Sequence, residues 1–228
     1  MNESASIWEP QELHSDLTDH VRDGSMGKML HHPLLINILL VPGHHNEDNQ
    51  VYLHRKAAAE RARVTGNWSE YVFWHERPYR AEALRRVLAS EKLPLQKPAS
   101  WKLIKSVWTD SENVQQHDEF WASLWAKTDP RVTFNAAERK ALDKLPEMIP
   151  IWHGLERNDD RELGYSWTTD KAIARRFAER FAGFHERAPY LAAGRVRKEA
   201  VKAYLLERGE SEIIAFPEEI ERVAITRC

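Results

Sequence analysis

Apolar residues in the first half of the chain recur mainly at helical spacing. The alanine-rich segment over residues 51–64 predicts a helix that Thr65-Gly66-Asn67 ends. Residues 79–93 repeat apolar positions along one face and predict a second helix. The apolar run over residues 34–41 fits either a buried strand or a short buried helix, because periodicity does not distinguish the two at this length.

Three other segments of this half lack a helical pattern. Residues 1–30 are polar, so we expect a loosely ordered arm with room for one short helix. Residues 68–74 are rich in aromatic side chains and predict a strand or an irregular packed segment. Pro94 and Pro98 break both regular structures and predict a linker. Residues 1–95 therefore form a predicted N-terminal region that is mainly helical and whose role is open.

The second half opens with further helical patterns. Residues 101–108, 116–127 and 136–145 predict three helices. Asn135 and Glu138 have the spacing of a capping box at the start of the last one.

Near residue 150 the pattern changes to short apolar segments that predict strands around one further helix. Thr169-Asp170 caps that helix, which keeps its apolar residues on one face. The predicted strands cover residues 151–155, 164–168, 190–196, 201–205, 212–216 and 222–226. We therefore expect an α+β domain over residues 99–228.

The composition is that of a globular protein with one large or two small domains. The chain has 228 residues, of which 42% are hydrophobic and 30% charged, and a formal net charge of −2. This balance gives the chain as a whole no attraction to nucleic acid or an anionic membrane. A single cysteine, Cys228, excludes an intrachain disulfide and a cysteine zinc site. With no signal-peptide pattern and no apolar run of spanning length, we expect a cytoplasmic protein without a membrane segment.

Two other residue types suggest sites that their spacing does not support. Histidines recur at positions 31, 32, 44, 45 and 54, but none has the spacing of zinc ligands, so no metal site is predicted. The arginines within residues 55–63 and 80–86 predict solvated helix faces, with docking of a nucleic acid or another target as the alternative.

A pair of carboxylates is the strongest chemical signal. Glu210 and Glu212 stand two residues apart where an apolar run begins, and in a strand they would point to the same side. Like charges at that spacing repel, which does nothing for folding. A solvated turn before a strand is the alternative interpretation. Ahead of the pair, His153-Gly154 lies on one predicted strand and Ser166-Trp167-Thr168 on another.

In this order and spacing the three segments resemble the ADP-ribosyltransferase family of the E-x-E type, over roughly residues 100–228. That family has a basic residue and a glycine on its first strand, a Ser-Thr-Ser-like strand followed by a helix, and Glu-x-Glu leading into an apolar strand. The resemblance implies a split mixed β-sheet core. His153 departs from it, because this group usually has an arginine there that clamps a pyrophosphate. Histidine at this place resembles the poly-ADP-ribosyltransferase and diphtheria-toxin branch, where it bonds the ribose hydroxyls of NAD.

The resemblance implies NAD as cosubstrate and gives the carboxylates distinct roles. Glu212 would hold the ribose 2′-hydroxyl and stabilise the positive charge that develops as nicotinamide leaves, as carboxylates do in glycosidases. Glu210 would orient or deprotonate the incoming nucleophile. Ser166 would donate a hydrogen bond to Glu212 and fix its rotamer.

The other candidate residues would bind NAD. His153 would contact a ribose, and Gly154 would let the backbone approach the nicotinamide carboxamide. One of three aromatic residues, Trp152, Tyr165 or Trp167, would stack on a ring. Thr168 belongs to the same strand motif. Structural roles are the alternatives: a satisfied core histidine for His153, core packing for Trp167, and ordinary strand positions for Ser166 and Thr168.

These expectations describe a cytoplasmic mono-ADP-ribosyltransferase whose acceptor is a protein arginine or a nucleobase amine of RNA or DNA. Domains of this family often occur in toxins of toxin–antitoxin or phage-conflict systems, which implies a neutralising protein partner of the antitoxin type. Two alternatives stay open. One is an NAD glycohydrolase that uses water as acceptor. The other is a catalytically inactive ADP-ribosyltransferase fold that serves as a binding module, for which the missing arginine is the main argument.

Overall fold

The computed structural model describes residues 11–37, 39–111, 114–159 and 163–228, and these form an α+β protein as predicted. Its α-helices are α1 (Ser15–Thr18), α2 (Asn46–Thr65), α3 (Trp68–Phe73), α4 (Arg80–Ala89), α5 (Pro98–Asp110), α6 (Asp118–Trp125), α7 (Pro130–Thr133), α8 (Ala136–Asp143) and α9 (Lys171–Phe184). Its strands are β1 (Val21–Gly24), β2 (Gly27–His32), β3 (Leu35–Asn37), β4 (Met148–Leu155), β5 (Ser166–Thr168), β6 (Tyr190–Arg197), β7 (Ala203–Leu205), β8 (Glu212–Ile214) and β9 (Ile220–Arg227).

Most predicted elements are confirmed. The helices expected from the apolar periodicity appear as α2, α4, α5, α6 and α8, and the helix capped by Asp170 appears as α9. The six strands expected in the second half appear as β4 to β9. The capping box at α8 is complete, because Asn135 accepts from the Glu138 amide at 2.9 Å and Glu138 accepts from the Asn135 amide at 2.8 Å.

The chain divides into two compact units. The first comprises the residues up to Pro94 together with Leu103–His117, and the second comprises Leu95–Lys102 together with Asp118–Cys228. One point of division thus falls in the proline-containing segment that we predicted as a linker, and another falls within α5.

The first unit contains a three-stranded antiparallel sheet in the order β1-β2-β3, besides its helices. The prediction of a loosely ordered arm was wrong for residues 11–30, although the short helix that it allowed appears as α1, and residues 1–10 lie outside the described part of the chain. A tight turn between Gly24 and Gly27 joins β1 to β2, and the hairpin buries Leu30 in the core of this unit. The exposed positions of this small sheet carry polar residues, so the alternation of buried and exposed positions along its short strands was not recognised in the sequence.

Helix α3 replaces the strand or irregular segment predicted over residues 68–74. Gly66, at φ 72°, ends α2 in the left-handed conformation, and Asn67 then caps α3 by accepting from the Glu70 amide at 3.2 Å. The aromatic composition favoured a strand, but the cap decides the conformation. The apolar run over residues 34–41 contributes the short strand β3 rather than a helix.

Three arginines of α2 and α4 pair with carboxylates on the same helices. Arg63 contacts Glu60 at 2.6 Å, and Arg85 and Arg86 both contact Glu82. These carboxylates offset arginine charges that could otherwise bind phosphates. The pairs therefore favour the interpretation that the arginines form solvated helix faces.

The second unit is built on a six-stranded sheet in the order β7-β8-β5-β4-β6-β9. Neighbouring strands in the described part of this sheet are antiparallel throughout, where a mixed sheet was predicted. The ladder between β4 and β5 consists of the single pair Trp152↔Thr168, whereas β4 and β6 pair over eight residues, from Met148↔Arg197 to Leu155↔Tyr190. The two central strands therefore separate soon after they meet.

Opposite faces of this sheet carry different helices. Alternate residues of β4, such as Ile149 and Ile151, join Trp167 and Ile213 in a core cluster against which α8 packs. Gly154 lies on the other face, where α9 packs. Among the helices that the structure describes, none has the length and apolar character needed to cross a bilayer.

The packing of α9 on β4 requires the glycine at position 154. A Cβ atom at Gly154 would lie 2.3 Å from the carbonyl oxygen of Ala174 and 2.6 Å from the backbone nitrogen of Ala178. Both are backbone atoms of α9, so no side-chain rotation relieves the contact. The helix backbone thus occupies the space that the side chain of any other amino acid at position 154 would fill.

We predict that a methyl group added at two glycines has opposite effects on stability. One glycine packs against α9 and the other lies within it. Gly154→Ala should lower the free energy of unfolding by about 1–3 kcal/mol, because it overpacks the strand against the helix. Gly183→Ala should raise it by roughly 0.5–1 kcal/mol, because Gly183 is in α9 and, apart from its chain neighbours and the backbone of its own helix, no described atom lies within 4 Å of the added carbon. Urea unfolding of both variants tests this, and a neutral Gly154→Ala would contradict the close packing.

Candidate functional site

A cavity of about 250 Å³ opens where β4 and β5 separate. Strands β4, β5 and β8, the turn before β8 and helix α9 contribute to its wall. The sequence-predicted residues all line it: His153, Gly154, Ser166, Trp167, Thr168, Glu210 and Glu212. Residues that are separated by up to 59 positions in the chain, from His153 to Glu212, are therefore brought together.

His153 bridges the gap between the two central strands. Tyr165 accepts a hydrogen bond from the Ala215 amide at 3.0 Å, so Ser166, one residue on, turns its carbonyl away from β8 and towards β4. The Nδ1 of His153 lies 2.7 Å from that carbonyl oxygen. Because a carbonyl only accepts, Nδ1 carries the proton and donates it. The imidazole takes the place of a missing ladder bond.

The protonation state of His153 follows from its surroundings. Burial lowers the pKa of the ring below its ordinary value of 6.5, and the bond to the Ser166 carbonyl opposes this only in part. The ring is thus neutral at pH 7, with Nδ1 protonated and Nε2 left as an acceptor. A neutral acceptor can bind a hydroxyl group but cannot hold the charge of a phosphate.

Glu212 is positioned by a hydrogen bond across β5 and β8. The Ser166 hydroxyl donates to Oε1 of Glu212 at 2.5 Å, a short contact of the kind that charged acceptors form. Glu212 pairs with Thr168 in the β5–β8 register, so the serine reaches it along the diagonal on the same face of the sheet. Ser166 therefore fixes the carboxylate that we assigned to it from the sequence.

Glu210 lies in a turn and not in the strand, so alternation along a strand does not explain its orientation. Strand β8 starts at Glu212, and the turn before it contains Arg208, Gly209 and Ser211 with φ values of 62°, 67° and 47°. The left-handed conformation is costly for arginine and serine, at roughly 1–2 kcal/mol each. The turn brings Glu210 to the same cavity as Glu212 at the expense of this strain.

Thr168 and Thr169 hold this turn in place. The Thr168 hydroxyl donates to the Glu210 carbonyl at 2.6 Å, and the Thr169 amide donates to the Ser211 carbonyl at 3.2 Å. The same Thr168 oxygen accepts from the Asp170 amide at 3.0 Å, where α9 is capped. A single buried hydroxyl thus connects β5, the glutamate turn and the start of α9.

Trp167 and Gly154 line the cavity, but each also has a structural function. Trp167 is 1% exposed, belongs to the core cluster and donates from Nε1 to the Gly164 carbonyl at 2.9 Å. Its ring lies 5.5 Å from that of His153, at an angle of 45°. It forms a fixed wall and not an exposed stacking surface. The missing side chain of Gly154 is explained by the packing of α9.

Sequence reasoning did not assign α9 to the site. Ile173, Ala174 and Phe177 line the cavity, and Trp152 completes its wall from β4. The helical spacing of Ile173 and Phe177 indicated only a buried face. The signal that was available is the position of this helix, which starts three residues after Thr168 and so must run beside the strand motif.

The lining is negatively charged and largely apolar. Among the described residues that line the cavity, Glu210 and Glu212 are the formally charged side chains, and none is a lysine or an arginine. The described part of the chain contains no cluster of three His, Cys, Asp or Glu side chains arranged to hold a metal ion. Carboxylates in a concave apolar site stabilise positive charge on a bound molecule, and His153 and Ser166 add groups that recognise hydroxyls.

Comparisons of the chain with protein-family models, with curated proteins and with solved structures found no match.

We predict that His153 makes the stability of the protein depend on pH. Between the lowered pKa of the native ring and the ordinary value of 6.5, the unfolded chain binds a proton that the native protein does not, so stability falls as the pH falls through this window. His153→Gln keeps a donor for the Ser166 carbonyl but does not titrate. Its free energy of unfolding should therefore decrease less than that of the wild type between about pH 7.5 and 5.5.

Other histidines do not affect the difference in pH dependence between wild type and His153→Gln. Burial, with the charge of His20 second, lowers the pKa of His32 to about 4, and burial also lowers the pKa of His75. Both contribute with the same sign in wild type and variant, so they cancel in the difference. Equal pH dependence of the two proteins, measured by urea unfolding, would contradict the neutral state of His153.

Proposed function

We propose that this protein is a mono-ADP-ribosyltransferase that cleaves NAD and transfers ADP-ribose to a macromolecular acceptor. The observation that carries the proposal is the position of Glu212, which lines the cavity with His153 and accepts a hydrogen bond from Ser166. A glutamate in an exposed turn, far from those two residues, would have removed its basis.

The residues present fit one end of NAD. The cavity of about 250 Å³ is smaller than the roughly 300–1,000 Å³ of sites that enclose a whole drug-sized ligand. It suits nicotinamide and the ribose attached to it, with the remainder of the dinucleotide outside. Phe177 and Trp152 offer apolar walls to the ring, and the polar groups of His153, Ser166 and Glu212 suit sugar hydroxyls.

In the proposed reaction the bond between the nicotinamide nitrogen and the ribose carbon breaks. The bonding electron pair leaves with nicotinamide, which becomes neutral, and positive charge remains on the ribose. Glu212 stabilises that charge and accepts a hydrogen bond from the 2′-hydroxyl. The acceptor then bonds to the ribose carbon, and its proton passes to Glu210, which lines the same cavity.

His153 supports this reaction differently from an arginine. Its neutral Nε2 accepts from a ribose hydroxyl while Nδ1 stays bonded to Ser166. With a neutral residue at position 153, strand β4 places no permanent cation there beside the cationic sugar.

The acceptor is proposed as a protein arginine or a nucleobase amine, with the arginine first. A role as a toxin with a neutralising protein partner rests on the family resemblance alone, and the proposed location in the cytoplasm rests on the sequence pattern. An NAD glycohydrolase and an inactive binding module of the same fold remain the competing proposals. The second draws on the lack of a cation in the described lining.

We predict that Glu212→Gln strongly slows transfer of label from adenine-labelled NAD. Total cell extract is incubated with NAD and protein, and the label is counted in the protein and RNA fractions. Wild type should label one fraction, and the variant should lose about a hundredfold in rate, because an uncharged amide does not stabilise the cationic sugar. Glu207→Gln is the matched control, since Glu207 is exposed in the same turn and does not line the cavity.

Each outcome of that experiment selects one proposal. Nicotinamide release without label in either fraction would identify a glycohydrolase. Absence of NAD binding, or equal activity of wild type and Glu212→Gln, would favour the binding module.

We predict that Glu210→Gln separates cleavage from transfer. Glutamine keeps the size of Glu210 but does not accept the proton of the acceptor, so transfer should fall about a hundredfold, while nicotinamide release to water stays within about threefold. Both rates are measured on the same samples, by label transfer and by free nicotinamide. Equal losses in the two rates would assign Glu210 to the cleavage step and contradict its proposed role.

A further inference from the structure

No lysine or arginine is among the described residues that line the cavity, so the described lining offers no cation to the pyrophosphate of a dinucleotide. The charged lining residues among those described are Glu210 and Glu212, and His153 is neutral. The negative charges of two phosphates and two carboxylates would repel one another strongly in an apolar site. If the nicotinamide ribose enters the cavity, the pyrophosphate must lie at its rim and find its cations there.

Helix α9 supplies cations beside the cavity. Ile173 and Phe177 line the cavity and lie one turn apart on this helix. Arg176 follows Ile173 by three positions and Arg180 follows Phe177 by three, so each arginine neighbours a lining residue on the helix surface. Arg176 and Arg180 are four positions apart and hence neighbours of each other. Both side chains are exposed.

The position of Arg180 and the contacts of Arg176 support an anion site at the border of the cavity. The guanidinium of Arg180 lies 5.6 Å from the centre of the Phe177 ring, which holds it at the border of the cavity. Arg176 is exposed and forms no ion pair with a carboxylate in the described part of the chain. This distinguishes it from Arg63, Arg85 and Arg86 of α2 and α4, which pair with carboxylates on their own helices.

We propose that Arg176, together with Arg180, forms a pyrophosphate-binding rim on α9 that holds NAD outside the cavity while its nicotinamide ribose lies inside. This inference rests on the proposed function. It assigns to a helix the task that an arginine on the first strand performs in the family that the sequence resembles. Guanidinium groups suit it because they bind phosphate oxygens through two parallel hydrogen bonds.

Arg175 is the matched control on the same helix. It is exposed like Arg176, but its neighbours at three and four positions are Lys171, Ala172, Ala178 and Glu179. None of these lines the cavity. A general effect of removing positive charge from α9 would therefore appear in both variants, whereas a pyrophosphate site would respond only to Arg176.

The test compares the affinities of the full-length wild type, Arg176→Ala and Arg175→Ala for two ligands by titration calorimetry. The ligands are NAD and nicotinamide riboside, which has the same nicotinamide ribose but no phosphate. Arg176→Ala should weaken NAD binding about tenfold, as expected for a charge-assisted hydrogen bond at a solvated rim. The affinity for the riboside should stay within about twofold, and Arg175→Ala should leave both affinities within about twofold.

The outcomes separate failure of this inference from failure of the proposed function. If wild type binds NAD and Arg176→Ala binds it equally well, the rim is wrong and the function stands. An equal loss for NAD and riboside in Arg176→Ala would mean damage to the helix and would also overturn the rim. If wild type binds neither ligand, the proposed function fails, and the rim fails with it.

Discussion

The hydrogen bond from His153 to the Ser166 carbonyl is the interaction on which the rest of the site depends. Strands β4 and β5 share a single ladder pair, and beyond it Ser166 directs its carbonyl into the space between them. A buried carbonyl without a donor costs roughly 1–3 kcal/mol, so the gap would tend to close or to admit water. The imidazole satisfies the carbonyl from the side and allows the strands to stay apart. The cavity lies in the opening between β4 and β5 that this hydrogen bond stabilises.

The same residue, Ser166, also positions the carboxylate of Glu212. Its carbonyl is bonded to His153 and its hydroxyl to Glu212, so the histidine and the glutamate are positioned through one strand residue. Thr168, two residues on, does the same for the strained turn of Glu210. The Ser-Trp-Thr strand is thus the element that orients both glutamates, while Trp167, between them in sequence, secures the strand in the core. Alternation along one short strand assigns these two tasks to opposite faces.

Local signals in the sequence were sufficient for most of the elements, and the order of three motifs was sufficient to predict seven of the residues that line the cavity. The Asn135 cap, the Asp170 cap and the apolar face of α9 act within a few residues, so their effect is visible in the sequence. The missed features arise from contacts between distant segments or from competing local signals. Helix α3 depends on the cap at Asn67 outweighing an aromatic composition, and the close packing at Gly154 depends on a helix that begins 17 residues later. Glu210 shares the cavity through three left-handed residues, which no periodicity indicates.

The distribution of charge gives a reason for histidine at position 153. An arginine buried there would lose hydration and would be drawn to the carboxylates of Glu210 and Glu212, because opposite charges attract strongly where water is scarce. It would then neutralise the groups that the proposed reaction needs for a cationic sugar. A neutral histidine avoids this conflict and leaves the pyrophosphate to cations outside the cavity, where solvent reduces their effect on the glutamates. Under the proposed function, the neutral His153 inside and the exposed Arg176 at the rim are therefore two parts of one solution: each separates the negative charge required for cleavage from the positive charge required for binding.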